Sequence, residues 1–276
     1  MSKLTCEICP HSCSLEIGQI GLCRARINVG DRITALNYGL VTALALDPIE
    51  KKPLYRFYPG SMILSVGSFG CNFRCSFCQN HQISMADSQQ AQTKKIDPAE
   101  LVELALSYRE QGNIGIAYTY NEPLVGYEFV RDCAVAAKRQ DLKNVVVTNG
   151  YICEEALKRL LPLIDAFNID LKAFNQDFYR KIGGDLETVK RSIELAAKEC
   201  HVEVTSLIIP GENDSEKEIA ELASWLASLN KDIPLHLTRF FPRYKMQDKT
   251  ITSVQTIRHL AEIAGEYLQF VYLGNC

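Results

Sequence analysis

From Ile63 to the end of the chain, short runs of apolar and β-branched residues alternate with longer amphipathic stretches of helical period. The runs Ile63 to Val66, Ile114 to Tyr118, Asn144 to Val147, Ala166 to Leu171, Val202 to Ile209, Pro234 to Phe240 and Phe270 to Leu273 read as buried strands. Helices are expected between them over Pro98 to Gln111, Val125 to Gln140, Glu154 to Ile164, Leu186 to Lys198, Ser215 to Leu229 and Val254 to Tyr267. Asp97 with Pro98, and Asp214 with Ser215, supply cap residues at two of the helix starts. Strands that alternate with helices are joined by crossovers and so pair in parallel. Six or seven such units in residues 61–276 suit an α/β fold, a partial (β/α)6 TIM-type barrel, with an open doubly wound sheet as the alternative.

A barrel of this kind carries its chemistry on the loops that follow the strands. Those loops hold Cys71 to Cys78, Thr119 to Pro123, Thr148 to Gly150, Lys172 to Asn175 and Pro210 to Asp214. The stretch 1–60 has a different texture, with cysteine-rich loops, a hairpin turn expected at Gly30 and Asp31, and prolines between Asp47 and Gly60. It reads as a small appended module. With 30 basic against 33 acidic residues and 47% apolar content, neither a disordered chain nor a nucleic-acid-coating one is expected. No apolar run is long enough to span a bilayer and the start lacks a signal-peptide core, so the expected location is the cytoplasm, without a membrane partner.

Eleven cysteines are unusual for a compartment that keeps thiols reduced, and metal explains them better than disulfides do. Seven are clustered: Cys6, Cys9, Cys13 and Cys23 near the start, and Cys71, Cys75 and Cys78 within one loop. The first set can close a zinc site or a four-iron cluster, and spacing does not choose between them. A loop-rich segment with little core would gain its stability from such a metal. The second set offers three thiolates at C-x3-C-x2-C, where a cubane cluster usually takes four. A zinc site would need a fourth ligand, for which His81 is the neighbour in sequence.

The run Gly70-Cys71-Asn72-Phe73-Arg74-Cys75-Ser76-Phe77-Cys78-Gln79-Asn80 resembles the signature of the radical S-adenosylmethionine (SAM) superfamily, and within it the glycyl-radical-enzyme activases typified by the pyruvate formate-lyase activase. The resemblance implies a [4Fe-4S] cluster on Cys71, Cys75 and Cys78 whose open iron chelates SAM. Reductive cleavage then gives methionine and a 5'-deoxyadenosyl radical that abstracts hydrogen. It also implies that Phe77 lies near the adenine, and that Thr119, Asn121 and Glu122, then Asn149, then Asp170 and Lys172, surround SAM. The activase used for comparison has an arginine late in its fifth strand where this chain has Thr205 and Ser206, so Lys172 or His236 is expected to meet the SAM carboxylate instead.

The N-terminal Cys-x-x-Cys-Pro-His-x-Cys pattern, the run Asp47 to Tyr55, and the segments His236 to Pro242 and Tyr272 to Asn275 resemble the AmmeMemoRadiSam system branch of that superfamily. That branch usually continues past Leu-Gly-Asn, whereas this sequence stops at Cys276. The implied partners are a reductant such as flavodoxin or ferredoxin and a protein substrate. The same chemistry on a small molecule is the alternative, and a zinc or electron-transfer module without catalysis is a third.

Overall fold

The computed structural model describes residues 3–276. Its first part is built from short ladders: β1 (Leu4–Thr5) with β2 (Ser14–Leu15), and β3 (Arg26–Asn28) with β4 (Ile33–Ala35), both antiparallel. The second pair is the hairpin expected at Gly30 and Asp31. After β5 (Leu40–Val41) comes β6 (Ala43–Pro48), then a strap over 49–60, then β7 (Met62–Gly67) and the short helix α1 (His81–Ser84). A two-residue strand, β8 (Lys94–Lys95), pairs back to β5.

Six further strands alternate with helices: α2 (Pro98–Ser107), β9 (Asn113–Tyr118), α3 (Tyr127–Lys138), β10 (Lys143–Thr148), α4 (Glu154–Leu160), β11 (Ala166–Asp170), α5 (Gln176–Ile182), α6 (Leu186–Glu199), β12 (His201–Ile208), α7 (Glu216–Asn230), β13 (Leu235–Arg239), α8 (Val254–Gly265) and β14 (Val271–Gly274). One eight-stranded sheet runs in the order β14-β13-β12-β11-β10-β9-β7-β6. All its pairings are parallel except β6 with β7. The two end strands do not pair, so the sheet is an open, partial barrel, as the alternation predicts. The sheet takes in β6, which lies inside the stretch 1–60 that the sequence reads as a separate module.

Helix starts follow their caps. Asp97 accepts from the Glu100 N–H while the Glu100 side chain accepts from the Asp97 N–H, a reciprocal capping box. Ser215 accepts from the Glu218 N–H at the start of α7. Helix α5, absent from the sequence reading, is bounded by an Asn175 cap and by Gly183 with φ +81°.

Side chains alternate between the two faces of each strand, so inward residues recur every second position. Ile63, Ala117, Val145 and Ala166 form one inward layer, and Ile49, Leu54 and Phe57 of the strap pack against it. The strap thereby fills one end of the barrel interior. Two positions further along β10, Val147 faces open space, and that space is the site.

Candidate active site

At the C-terminal ends of the parallel strands lies a cavity of about 560 Å3. The residues that the resemblance places around the cluster and SAM all line it: Cys71, Cys75, Phe77 and Cys78 after β7, Thr119, Asn121 and Glu122 after β9, Asn149 after β10, Asp170 at the end of β11 with Lys172 just beyond it, and His236 on β13. No other thiol lines it among the described residues. His81 is turned elsewhere, its Nδ1 3.3 Å from the Cys78 carbonyl and its ring stacked on Tyr244 at 4.5 Å.

The three-cysteine loop is held from several sides. Its Cys71 N–H donates to the Cys23 carbonyl at 3.2 Å, Arg74 N–H to Ile182 of α5 at 2.8 Å, and the Lys245 N–H donates to the Ser76 carbonyl at 2.9 Å. Gly70 enters the loop at φ +91°, and a Cβ there would stand 2.6 Å from the Cys23 carbonyl oxygen, so only glycine fits. Phe73 packs on Tyr151 and Tyr179, and Phe77 on Phe178.

Asn121 is occupied with the loop rather than with the cavity. Its Oδ1 accepts from the Ser68 N–H and its Nδ2 donates to the carbonyls of Phe69, Gly70 and Glu122. Asn149 bridges two loops, donating to Asn72 Oδ1 at 2.8 Å and toward Cys71 Sγ at 3.8 Å. Asn72 in turn donates to the Tyr151 carbonyl, and its own carbonyl accepts from His11 Nε2 at 2.8 Å.

Glu122 is buried and accepts from Thr148 Oγ1 (2.7 Å), Asn149 N–H (2.8 Å) and Leu124 N–H (3.0 Å). Burial outweighs these donors and lifts its pKa to about 7. Burial likewise pushes the Cys75 thiol up to about 12 and Cys71 well above its ordinary value, the latter aided by the Glu122 charge. Such thiols ligate only when a metal displaces the proton. Lys172 Nζ lies 2.7 Å from Asp170 Oδ2. Burial disfavours its charge, but the Asp170 carboxylate more than compensates, and the ammonium is retained.

Two networks in the cavity wall have no local sequence signal. Asp47 pairs with Lys52 at 2.9 Å and Lys51 at 3.2 Å and accepts from Tyr120 Oη at 2.8 Å; Lys52 also lies over the Tyr120 ring. Burial would raise the Asp47 carboxyl, yet these partners hold it well below the usual range. Glu203, fully buried on β12, accepts from the N–H groups of Tyr55 (3.0 Å) and Arg56 (2.7 Å) and from Nε2 of His201 (2.9 Å) and His236 (2.6 Å). His236 is therefore committed to Glu203 through Nε2, and Tyr55 and Tyr272 pack on its ring.

The donor set of the loop, three unbridged thiols of which Cys75 is buried and Cys71 and Cys78 are partly exposed, fits a cluster that takes three protein ligands. The family model of the radical SAM superfamily matches residues 65–223. The chain belongs to the radical SAM superfamily. It is 42% identical over 278 residues to an uncharacterized protein of Methanocaldococcus jannaschii, covering 99% of this chain and 82% of that one. It is 25% identical over 172 residues to the pyruvate formate-lyase 1-activating enzyme of Escherichia coli, covering 59% of this chain and 68% of the enzyme. Among solved structures, a domain of a pyruvate-formate lyase-activating enzyme from Bacteroides vulgatus aligns with a TM-score of 0.52 at 21% identity, over 58% of this chain and 99% of that domain. Streptococcus suis SuiB bound to S-adenosylmethionine aligns with a TM-score of 0.61 at 12% identity, over 78% of this chain and 52% of SuiB. These two likenesses establish the fold alone.

The four N-terminal cysteines, Cys6, Cys9, Cys13 and Cys23, lie outside this cavity and line a separate small pocket. Among the described residues no helix is long and apolar enough to cross a membrane.

Proposed function

We propose that this protein cleaves S-adenosylmethionine reductively and that the resulting 5'-deoxyadenosyl radical takes a hydrogen atom from a partner protein, as a glycyl-radical activase would. The observation that carries the reading is the convergence of the three loop thiols with Glu122, Asn149, Asp170 and Lys172 on one cavity. A [4Fe-4S] cluster on Cys71, Cys75 and Cys78 would supply the single electron that breaks the carbon-sulfur bond. The chain's own groups match the charges of SAM. Glu122 and Asp170 present carboxylates to a cationic ligand, while Lys172 has ammonium donors beyond the one spent on Asp170 and suits the SAM carboxylate where the compared activase uses arginine. His236, engaged by Glu203, is the weaker partner for that carboxylate. The Phe77 ring offers an apolar face for the adenine. The strap closes the far end of the barrel and limits the entry of water to the mouth.

The protein target rests on the similarity to activating enzymes, which covers 59% of the chain. The electron would come from a flavodoxin or ferredoxin, and the N-terminal thiols would hold a second metal. Anaerobically reconstituted protein given dithionite and SAM is expected to form 5'-deoxyadenosine, and Cys75→Ala to form none. No product from protein carrying a full cluster overturns the proposal. A glycyl-radical doublet in electron paramagnetic resonance (EPR) on an added glycyl-radical enzyme would support the protein target; consumption of a small molecule in its place would refute it.

A further inference from the structure

The loop that carries Cys71, Cys75 and Cys78 has an outer side as well as a cavity side. Arg74, directly before the buried Cys75, is exposed, and so are Gln79 and Asn80, directly after Cys78. Two other segments lie against this loop. The end of α5 receives the Arg74 N–H on the Ile182 carbonyl at 2.8 Å, and the turn after β13 donates the Lys245 N–H to the Ser76 carbonyl at 2.9 Å. That turn is closed by the Met246 N–H on the Arg243 carbonyl at 3.1 Å, with Tyr244 at φ +54° and its ring stacked on His81. The three segments form one surface around the loop, one residue in sequence away from two of its thiols.

The charge of this surface is opposite to that of the chain, which has 33 acidic residues against 30 basic ones. Residues 70–82 carry Arg74 and no acid, and α5 carries Arg180 and Lys181 against Asp177. Residues 239–249 carry Arg239, Arg243, Lys245 and Lys249 against Asp248. Part of this charge is already engaged. Arg180 pairs with Asp177 at 2.6 Å, Lys181 and Lys249 share Glu212 at 3.2 and 2.9 Å, and Arg239 donates to the carbonyls of Thr252 and Asn275. Arg74, Arg243 and Lys245 are the exposed cations beside the loop itself. Lys245 Nζ lies over the Tyr244 ring, 5.2 Å from its centre, which fixes one of these charges next to the His81 stack.

The electron for SAM cleavage would come from outside the chain, and electron tunnelling falls steeply with distance. A donor protein must therefore sit on the surface nearest the loop thiols, and here that surface is cationic. Opposite charge steers a short-lived electron-transfer encounter and raises its association rate without a large dry interface. We propose that the face of Arg74, Arg243 and Lys245 is the docking site of an acidic one-electron donor protein of the flavodoxin class. The inference rests on the SAM-cleaving reading for its purpose and gives the reductant of that reading a place on the chain.

The test titrates the full-length protein, reconstituted anaerobically with iron and sulfide, with flavodoxin and reads binding. At about 10 mM salt, where charges act over about 30 Å, binding is expected; at about 1 M, where they act over about 3 Å, it should weaken tenfold or more. Arg74→Glu, Arg243→Glu and Lys245→Glu, combined, are expected to weaken binding at low salt by about tenfold or more and to slow reduction by flavodoxin by a similar factor. The final yield of 5'-deoxyadenosine with dithionite should stay that of the unmutated protein. No binding by the unmutated protein, or equal binding by the variant, overturns the proposal. Arg139→Glu, Lys198→Glu and Lys231→Glu make the same change in net charge at the ends of α3, α6 and α7, at the opposite end of the barrel. An equal loss of binding there overturns the assignment to this face. Should the first variant lose its iron, Arg243→Gln with Lys245→Gln, both outside the loop, decides by the same titration: binding weakened by about threefold or more supports the proposal, and unchanged binding overturns it. Flavodoxin binding that persists while transfer to an added glycyl-radical enzyme is lost gives the face to the protein target and overturns the proposal. If dithionite yields no 5'-deoxyadenosine from the unmutated protein, the SAM-cleaving reading fails, and the binding titration still decides this one.

Discussion

Glu203→Gln is the most informative single change in the barrel wall. The carboxylate accepts from two backbone N–H groups of the strap and two imidazoles, all while fully buried. Burial alone would raise its pKa; His201, His236 and the Tyr55 and Arg56 N–H groups instead hold it at about 2, against an ordinary 4.5. That difference is worth about 3 kcal/mol of stability at neutral pH. The sign follows from the depressed value: the contribution is present above pH 4.5 and is lost as pH falls through about 2. Glutamine keeps the shape but turns an N–H2 toward groups that donate, so two donors lose their acceptor. The expected cost at pH 7 is about 3–5 kcal/mol, the range for breaking a buried charged network. Urea unfolding of wild type and variant at pH 7 and near pH 3 measures it, with slopes compared to confirm a common unfolded state. The gap between the two proteins should narrow at the lower pH. A loss under about 1 kcal/mol at pH 7, or a gap that does not change with acid, refutes the account.

Three further outcomes follow from the site. Because burial holds Glu122 near pH 7, it is half-charged there, and SAM affinity should fall by up to about tenfold per pH unit below 7 while Glu122→Gln shows a flat profile; binding titrations at pH 6 and 8 check this. Gly70→Ala places a Cβ against the Cys23 carbonyl at a φ of +91°, and should cost at least about 1–3 kcal/mol in thermal unfolding and lower the iron content of the three-cysteine loop. Lys52→Met removes the buried partner of Asp47, and a loss of about 3 kcal/mol is expected, read by denaturant titration.

The barrel was legible because its strands carry β-branched runs at regular spacing and its loops carry Cys71, Glu122, Asn149 and Lys172 after those runs. Both signals are local. Helix α5 carried a cap at Asn175 and a stop at Gly183, but seven residues are too few to show a helical period. No strand is assigned from the sequence to Ala43 to Pro48, which stays within the stretch 1–60, and the pairing of β6 with β7 places that segment in the sheet. The buried networks were unreadable for a different reason. Tyr120 meets Asp47 from 73 positions away, and His236 meets Glu203 from 33, so only the fold brings them together. His236 was singled out as a cavity residue and does line the cavity, but nothing in its neighbourhood in sequence announced the carboxylate that orients it.

The antiparallel strand β6 also determines how short this protein can be made. The change of texture near residue 60 invites a cut there, yet β6 covers the outer edge of β7, whose residues from Ile63 to Gly67 are all buried. A chain begun at residue 61 would expose a bare apolar edge that templates pairing between molecules. It would also lose the strap that plugs the barrel floor and two of the four donors to Glu203. Such a shortened chain is expected to aggregate, whereas the first strand that solubility requires is the one that starts at Ala43.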